Sequence, residues 1–325
     1  MNARESLLSW FLVSSVLLTA ALTGCARPTP NAPAQARSSA YANESFLAAG
    51  PDAGGGYFPL RIGNRWHAES DFRATLTTPD GVVLTVVIHA DITREIIGTE
   101  TIAGRTYVVE QSVTDEDDPS GPFNSWIRYR QDAAGLYEAD VDLSIPPALD
   151  SGESVSPINA TRPETGGLPA TLAERLPANQ RDAYGAAWDV LQERVAAIRT
   201  AHALASRSAV ATPPGGVLLG ELTRLEYPLR PGATWVIRND PLFGSTVEAN
   251  GSIEVPAGKF PGSRIRITID LLGPNDIIHE WFSRSGQLAL RYHLESEATD
   301  VDGNPIGTLT ADYDETLQDL SLVRP

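Results

Sequence analysis

The sequence predicts a mainly β protein made of two degenerate antiparallel β repeats with a helical insertion between them. Three observations carry that expectation. Apolar residues alternate strictly with polar ones in several runs, the mark of strands with one buried face. A set of landmarks recurs in the same order in the two halves of the chain. Between the halves lies one stretch whose apolar residues fall at alternating spacings of four and three.

Taken in order, the chain opens with an apolar stretch from Leu7 to Leu22. It is shorter than the ~20 residues a transmembrane helix needs and has the length of a signal-peptide core. It ends in Leu22-Thr23-Gly24-Cys25, which holds the only cysteine. This leucine–small–glycine–cysteine run resembles the lipobox of bacterial lipoproteins. The resemblance implies a signal peptide over residues 1–24, cleavage before Cys25, lipidation of its thiol and acylation of the new amino terminus. The partner so implied is a membrane, reached through the lipid anchor, since two or more acyl chains give stable attachment where one does not. Ala26 stands where an inner-membrane retention signal would place Asp. In a Gram-negative cell that implies the outer membrane, facing the periplasm. With Cys25 lipidated, no disulfide, thiol nucleophile or cysteine-based zinc site can form.

Residues 25–56 comprise the lipidated cysteine and a flexible tether, rich in Pro, Ala, Ser, Asn and Gly and without apolar periodicity. Such a coil spans about 30 Å root-mean-square, enough to clear lipid headgroups.

The first repeat is expected over 57–142 and the second over 221–325. Tyr57-Phe58-Pro59-Leu60-Arg61-Ile62-Gly63-Asn64-Arg65-Trp66 answers Tyr227-Pro228-Leu229-Arg230-Pro231-Gly232-Ala233-Thr234-Trp235. Glu100 to Tyr107 answers Glu254 to Phe260, each a small-residue turn between strand-like runs. Trp126 follows Gly104 by 22 residues and Trp281 follows Gly258 by 23, each leading to a glycine turn, at Gly135 and Gly286. Val82, Leu84, Val86, Ile88, Ala90 and Ile92 alternate in the first repeat; Ile265, Ile267, Ile269 and Leu271, then Leu288, Leu290, Tyr292 and Leu294, alternate in the second. Pro79-Asp80-Gly81 and Asp302-Gly303-Asn304-Pro305 supply hairpin turns. Trp66 and the tryptophans aligned with it read as core.

Residues 143–220 form the insertion, a loop followed by an amphipathic helix. Tyr184, Trp188, Leu191, Val195, Ile198, His202 and Ala205 make its apolar stripe, Asn179 with Asp182 its N-terminal cap, and the helix ends near Ser208. Its Trp188 face is expected to pack on a sheet.

The Tyr-Phe-Pro-Leu-x-x-Gly-x-x-Trp start, with the later Val-Pro-Ala-Gly-x-Phe turn at Val255 to Phe260, resembles poorly characterised β-rich envelope lipoproteins. That resemblance implies architecture and no reaction. The second copy departs from it at Pro231 and Ala233.

The 325 residues carry a net charge of −16 and 42% hydrophobic residues, with a pI near 4.7. Such acidity disfavours nucleic acid as a partner, because phosphate is met by cations. Lys259 is the only lysine. His67, His89, His202, His279 and His293 show no metal-binding or catalytic spacing and read as structural. Asp115, Asp117 and Asp118, with Glu116 between them, form an acidic run that could offer oxygen ligands to a hard cation. Asp300 and Asp302 imitate the start of a calcium loop, but Pro305 stands where glycine is required. Solvated loop and hairpin are the better readings of both, so no metal and no cofactor is expected. No nucleophile elbow, phosphate loop or dinucleotide fingerprint occurs.

The sequence therefore predicts a non-enzymatic binding or scaffold lipoprotein, whose partner is another envelope protein or an apolar ligand. The alternative is a lipid or lipoprotein carrier with an apolar cavity under the central helix. A carboxylate-based hydrolase stands third.

Overall fold

Alternation of buried and exposed positions runs along nearly every strand of the protein. The structure is a computed structural model that describes residues 58–116, 122–140, 147–152, 188, 220–239, 242–270, 273–299 and 305–323. In β1 (Arg65–Thr77) every even-numbered residue from Trp66 to Leu76 is buried, and its odd-numbered neighbours face outward. β2 (Val83–Ile102) repeats this from Leu84 to Ile92. Both strands therefore turn one face to a core and one to solvent, as period-two patterning dictates.

The remaining strands are β3 (Arg105–Glu116), β4 (Phe123–Gln131), β5 (Gly135–Ala139), β6 (Glu221–Glu226), β7 (Thr234–Asn239), β8 (Leu242–Val255), β9 (Gly258–Ile269), β10 (Ile277–Ser283), β11 (Gly286–Thr299) and β12 (Pro305–Ser321). The two expected units are not separate sheets. All twelve strands form one antiparallel sheet, in the order β6-β5-β4-β3-β2-β1-β12-β11-β10-β9-β8-β7. β6 pairs with β5, so it completes the first run of six strands instead of opening the second.

The sheet curls round until β6 and β7, its two end strands, lie side by side. No ladder joins them. Trp235 Nε1 instead donates to the Thr223 carbonyl across the gap at 3.1 Å, and Arg238 on β7 reaches Asp140 beyond β5. The result is a barrel closed except for one seam, which leaves only one pair of strand edges to protect.

The expected helix lies outside the described residues apart from Trp188. That residue is helical in conformation, 2% exposed, and packed among the barrel's inward side chains.

Two apolar clusters fill the lumen. One contains Phe72, Leu76, Leu84, Ile88, Ile278 and Leu294, with Trp188. The other contains Trp66, Ile96, Leu136, Leu225, Phe260 and Phe282, and is capped by Phe58 and Leu229 from the segments that lead into β1 and β7.

The aligned landmarks occupy equivalent strands. Trp66 and Trp235 point inward from the first strand of each six-strand half. Before each, a glycine takes a left-handed conformation, Gly63 at φ 88° and Gly232 at φ 86°, where a side chain would be strained. Gly63 N donates to Ile96 O and Ile96 N to Asn64 O; Gly232 N donates to Val247 O and Val247 N to Ala233 O. A β-bulge follows each contact, at Ile96/Gly98 and at Val247/Ala249.

Trp126 and Trp281 both sit on the outer face of the fourth strand of their half. Trp126 is fully buried there under Leu149, whose segment is pinned by Ala148 N to Glu100 and Asp150 N to the Thr99 carbonyl. Trp281 is only half-buried, with the Arg291 guanidinium 5.4 Å from its ring centre.

Truncating Trp126 to Ala should therefore cost about 3–5 kcal/mol, the range for a buried large aromatic. Trp281→Ala should cost less than half as much. Urea unfolding of the two variants measures the difference.

Candidate functional site

The inward phase of several strands is interrupted by charge. On β2 the series Leu84, Val86, Ile88, Ala90, Ile92 continues to Arg94. On β10 Glu280 lies between Ile278 and Phe282, and on β12 Glu315 lies between Tyr313 and Leu317. A charged residue on the apolar phase of a strand was the signal in the sequence for these sites. Outwardly facing charges in the same strands hid it.

These residues meet in a polar belt between the two apolar clusters. Arg94 Nη2 lies 2.5 Å from Glu315 Oε1, and Tyr313 donates its hydroxyl proton to Glu315 Oε2. Arg224 protrudes inward from a bulge in β6 and binds Glu280 on β10 at 2.5 Å, crossing the lumen beside the seam. Each pair joins one six-strand half to the other.

Glu110 on β3 and Glu138 on β5 complete the belt. Both are almost fully buried, and Oε2 of each has no hydrogen-bond partner. Burial raises the Glu110 carboxyl to about 7 against the opposing pull of Arg94. Burial likewise raises Glu138 to about 7, opposed by Arg224. The same two carboxylates and burial push the Tyr129 hydroxyl far up, with burial the larger cause. The belt thus combines two paired arginines with two carboxyl groups poised to exchange protons near neutrality.

The outer face is different in kind. His89 pairs with Asp71, His67 lies between Asp91 and Asp319, and His293 Nδ1 is 2.7 Å from Asp312. Arg291 binds Asp314 at 3.0 Å, and His279 lies 3.0 Å from Glu248. Burial lowers the His279 pKa, despite that carboxylate. A shallow groove runs over β10, β11, β12 and β1, where Arg73, His279, Arg291 and His293 alternate with Asp71, Asp312 and Asp314.

Of the acidic candidates, Asp115 faces Asp91 across the β2–β3 ladder, while Glu116 turns to the opposite, inner side. Consecutive strand residues cannot act as one ligand cluster. Asp117, Asp118, Asp300 and Asp302 lie outside the described residues, as do Cys25 and His202. Among the described residues, no group of three or more His, Cys, Asp or Glu converges to hold a metal ion.

The folded belt binds protons that the unfolded chain releases. Stability from Glu110 and Glu138 is full below the ordinary carboxyl pKa and is lost as pH rises through about 7. The melting temperature should fall by about 5 °C or more between pH 5 and pH 8. The double substitution E110Q/E138Q should flatten that slope, which scanning calorimetry at both pH values checks.

No family model matches the chain, and no curated protein matches it. Three solved structures show a faint likeness. A protein from Bacteroides fragilis, described as exported and of YmcC-like fold, is 9% identical, with a TM-score of 0.32 over 81% of this chain and 98% of its own. A protein from Parabacteroides distasonis, described as a lipoprotein, is 10% identical, with a TM-score of 0.27 over 82% and 98%. A β-barrel-like domain of unknown function from Brucella abortus is 11% identical, with a TM-score of 0.25 over 81% and 99%. Likeness at that level transfers neither site nor activity to this chain.

Proposed function

We propose that this chain is an exported protein, lipid-anchored to the cell envelope through Cys25, that works by binding and not by catalysis. The signal-peptide core, Leu22-Thr23-Gly24-Cys25 and the polar tether support the anchor. Ala26 favours the outer membrane, facing the periplasm, in a Gram-negative cell.

The observation that carries the binding reading is the charged belt across the lumen. A carrier for acyl chains needs a continuous apolar cavity. Here Phe72, Leu84, Trp188 and Phe282 fill the apolar ends, and Arg94–Glu315 and Arg224–Glu280 cross the middle. A carboxylate hydrolase needs its acids at an open cleft, whereas Glu110, Glu138, Glu280 and Glu315 are walled in.

The accessible polar surface is the outer groove of alternating acids and bases. It suits docking by another envelope component through paired charges, which confer specificity more than affinity. The two six-strand halves are read as degenerate copies of one unit. Matching glycines, carbonyl contacts and bulges before and after the inward tryptophans support this.

Labelled palmitate should enter the wild-type protein and not Cys25→Ser, and only the wild type should partition into detergent. Equal partitioning of the two forms overturns the anchor. Detergent-free Cys25→Ser protein should take up no fluorescent fatty acid; saturable one-to-one uptake would replace the binding reading with the carrier.

A further inference from the structure

The two ends of the barrel differ in charge. Strand direction places residues 58–64, 132–134, 227–233, 284–285 and 322–323 at one end, and residues 78–82, 140, 270 and 273–276 at the other. Among the described residues that connect strands, the cationic side chains are Arg61, Arg230 and Arg284, and all three lie at the first end. Asp132 and Glu226 are the acids beside them. Arg65 and Lys259 also stand there, facing Glu95 and Glu254 across their ladders. The described connections of the opposite end carry Asp80, Asp140, Asp270 and Asp276 and neither Lys nor Arg. In a chain of net charge −16, this gathering of arginines sets the first end apart.

The same end carries an apolar tip. Ile62 is 56% exposed, the most exposed large hydrophobic residue among those described, and Val323 is 45% exposed. The Val323 N–H donates to Asn64 Oδ1, and its side chain lies against Gly63, so it sits beside the turn that presents Ile62. Arg61 precedes Ile62 in that turn, and Arg230 holds the equivalent place before β7; both are exposed. Apolar side chains that enter the headgroup–acyl boundary, ringed by cations that meet lipid phosphates, are what an interfacial membrane contact requires.

Connectivity says which membrane. Phe58 caps the lumen at this end, and residues 25–57 join it to Cys25. We propose that the barrel stands end-on on the membrane that holds its lipid. Ile62 and Val323 then rest at the headgroup–acyl boundary, with Arg61, Arg230 and Arg284 against the phosphates of anionic phospholipids. The inference rests on the Cys25 anchor. Once the lipid is inserted the contact is intramolecular, so individually weak attractions suffice. Acids at the far end do not oppose it. β1 alone is 13 residues long, roughly 40 Å of strand, and charges that far off are screened at physiological salt. The outer groove, on the barrel wall, stays clear for its own partner.

The test uses the mature lipidated protein in vesicles of phosphatidylethanolamine with phosphatidylglycerol. With Cys25 acylated, one introduced cysteine is the only free thiol. A spin label is placed at Val323→Cys, or at Pro79→Cys on the opposite end. The first label should be shielded from an aqueous nickel relaxant and reached by oxygen, while the second stays in water. Arg61→Gln and Arg230→Gln should each lower the docked-to-free ratio about fivefold, in protein that still floats with the vesicles and melts as the wild type does. High salt, or vesicles of phosphatidylcholine alone, should release the first label in the same way. Equal water exposure of both labels on floating vesicles overturns the docking and leaves the anchor standing. Shielding at residue 79 instead turns the barrel the other way up and overturns it too. Shielding at residue 323 that ignores both the arginine variants and salt overturns the headgroup assignment. Protein that does not float with the vesicles overturns the anchor, and this inference with it.

Discussion

The Arg224–Glu280 pair joins parts of the barrel that backbone pairing does not. The β1–β12 ladder connects the two six-strand halves on one side, over thirteen residue pairs. On the other side β6 and β7 meet without a ladder. Arg224 reaches from β6 across the lumen to β10, past the gap, and the Trp235 indole and Arg238 reinforce the same edge. Burying such a pair is costly, and an apolar pair of equal volume can be as stable. Its value lies in geometry: one charged partner accepts only one register, whereas Leu against Leu would tolerate several. Arg94–Glu315 acts in the same way, fixing β2 against β12 over the intervening β1.

The strands and their faces were legible wherever one side was apolar and the other polar. Val82 to Ile92 and Leu288 to Leu294 read as they fold. β3 was not legible. Its outward residues are fully buried, Val109 with Trp126 under Leu149 and Tyr107 against Ile102 and Ala139, while its inward residues Glu110, Ser112 and Thr114 line the lumen. When both faces of a strand are covered, alternation cannot say which one is the lumen. Trp126 is core as well, but the core of a second layer outside the barrel. Arg94, Glu280 and Glu315 lay on the apolar phase in plain view, and their partners became visible only with the strand order.

Glu221 shows how outer contacts compensate where the lumen wall is polar. It accepts from Tyr107, Arg105 and Arg130, so a single β6 carboxylate ties β3 and β4 to the seam strand. The Arg130 hydrogen bond, more than any other contact, holds its pKa below the usual range. Its ionised form is therefore built into the fold, the opposite of Glu110 and Glu138. One barrel wall thus holds a carboxylate fixed as an anion on its outer side and two others on its inner side that the fold leaves unpaired.

That contrast separates the charges that hold the barrel together from those that cost it stability. With a single cysteine in the chain, the fold relies on strand pairing and apolar packing, and in that setting each unpaired buried charge subtracts directly from a small margin. Structural charges here are satisfied: Arg128 with Glu100, Arg94 with Glu315, Arg224 with Glu280. Among the described residues, Glu110 and Glu138 each keep a buried oxygen without a partner, on the lumen wall of β3 and β5. Glu110 and Glu138, walled in with one oxygen each unpaired, are acids whose neutral form the fold favours, so the polar belt holds the two halves in register at a cost that grows as pH rises.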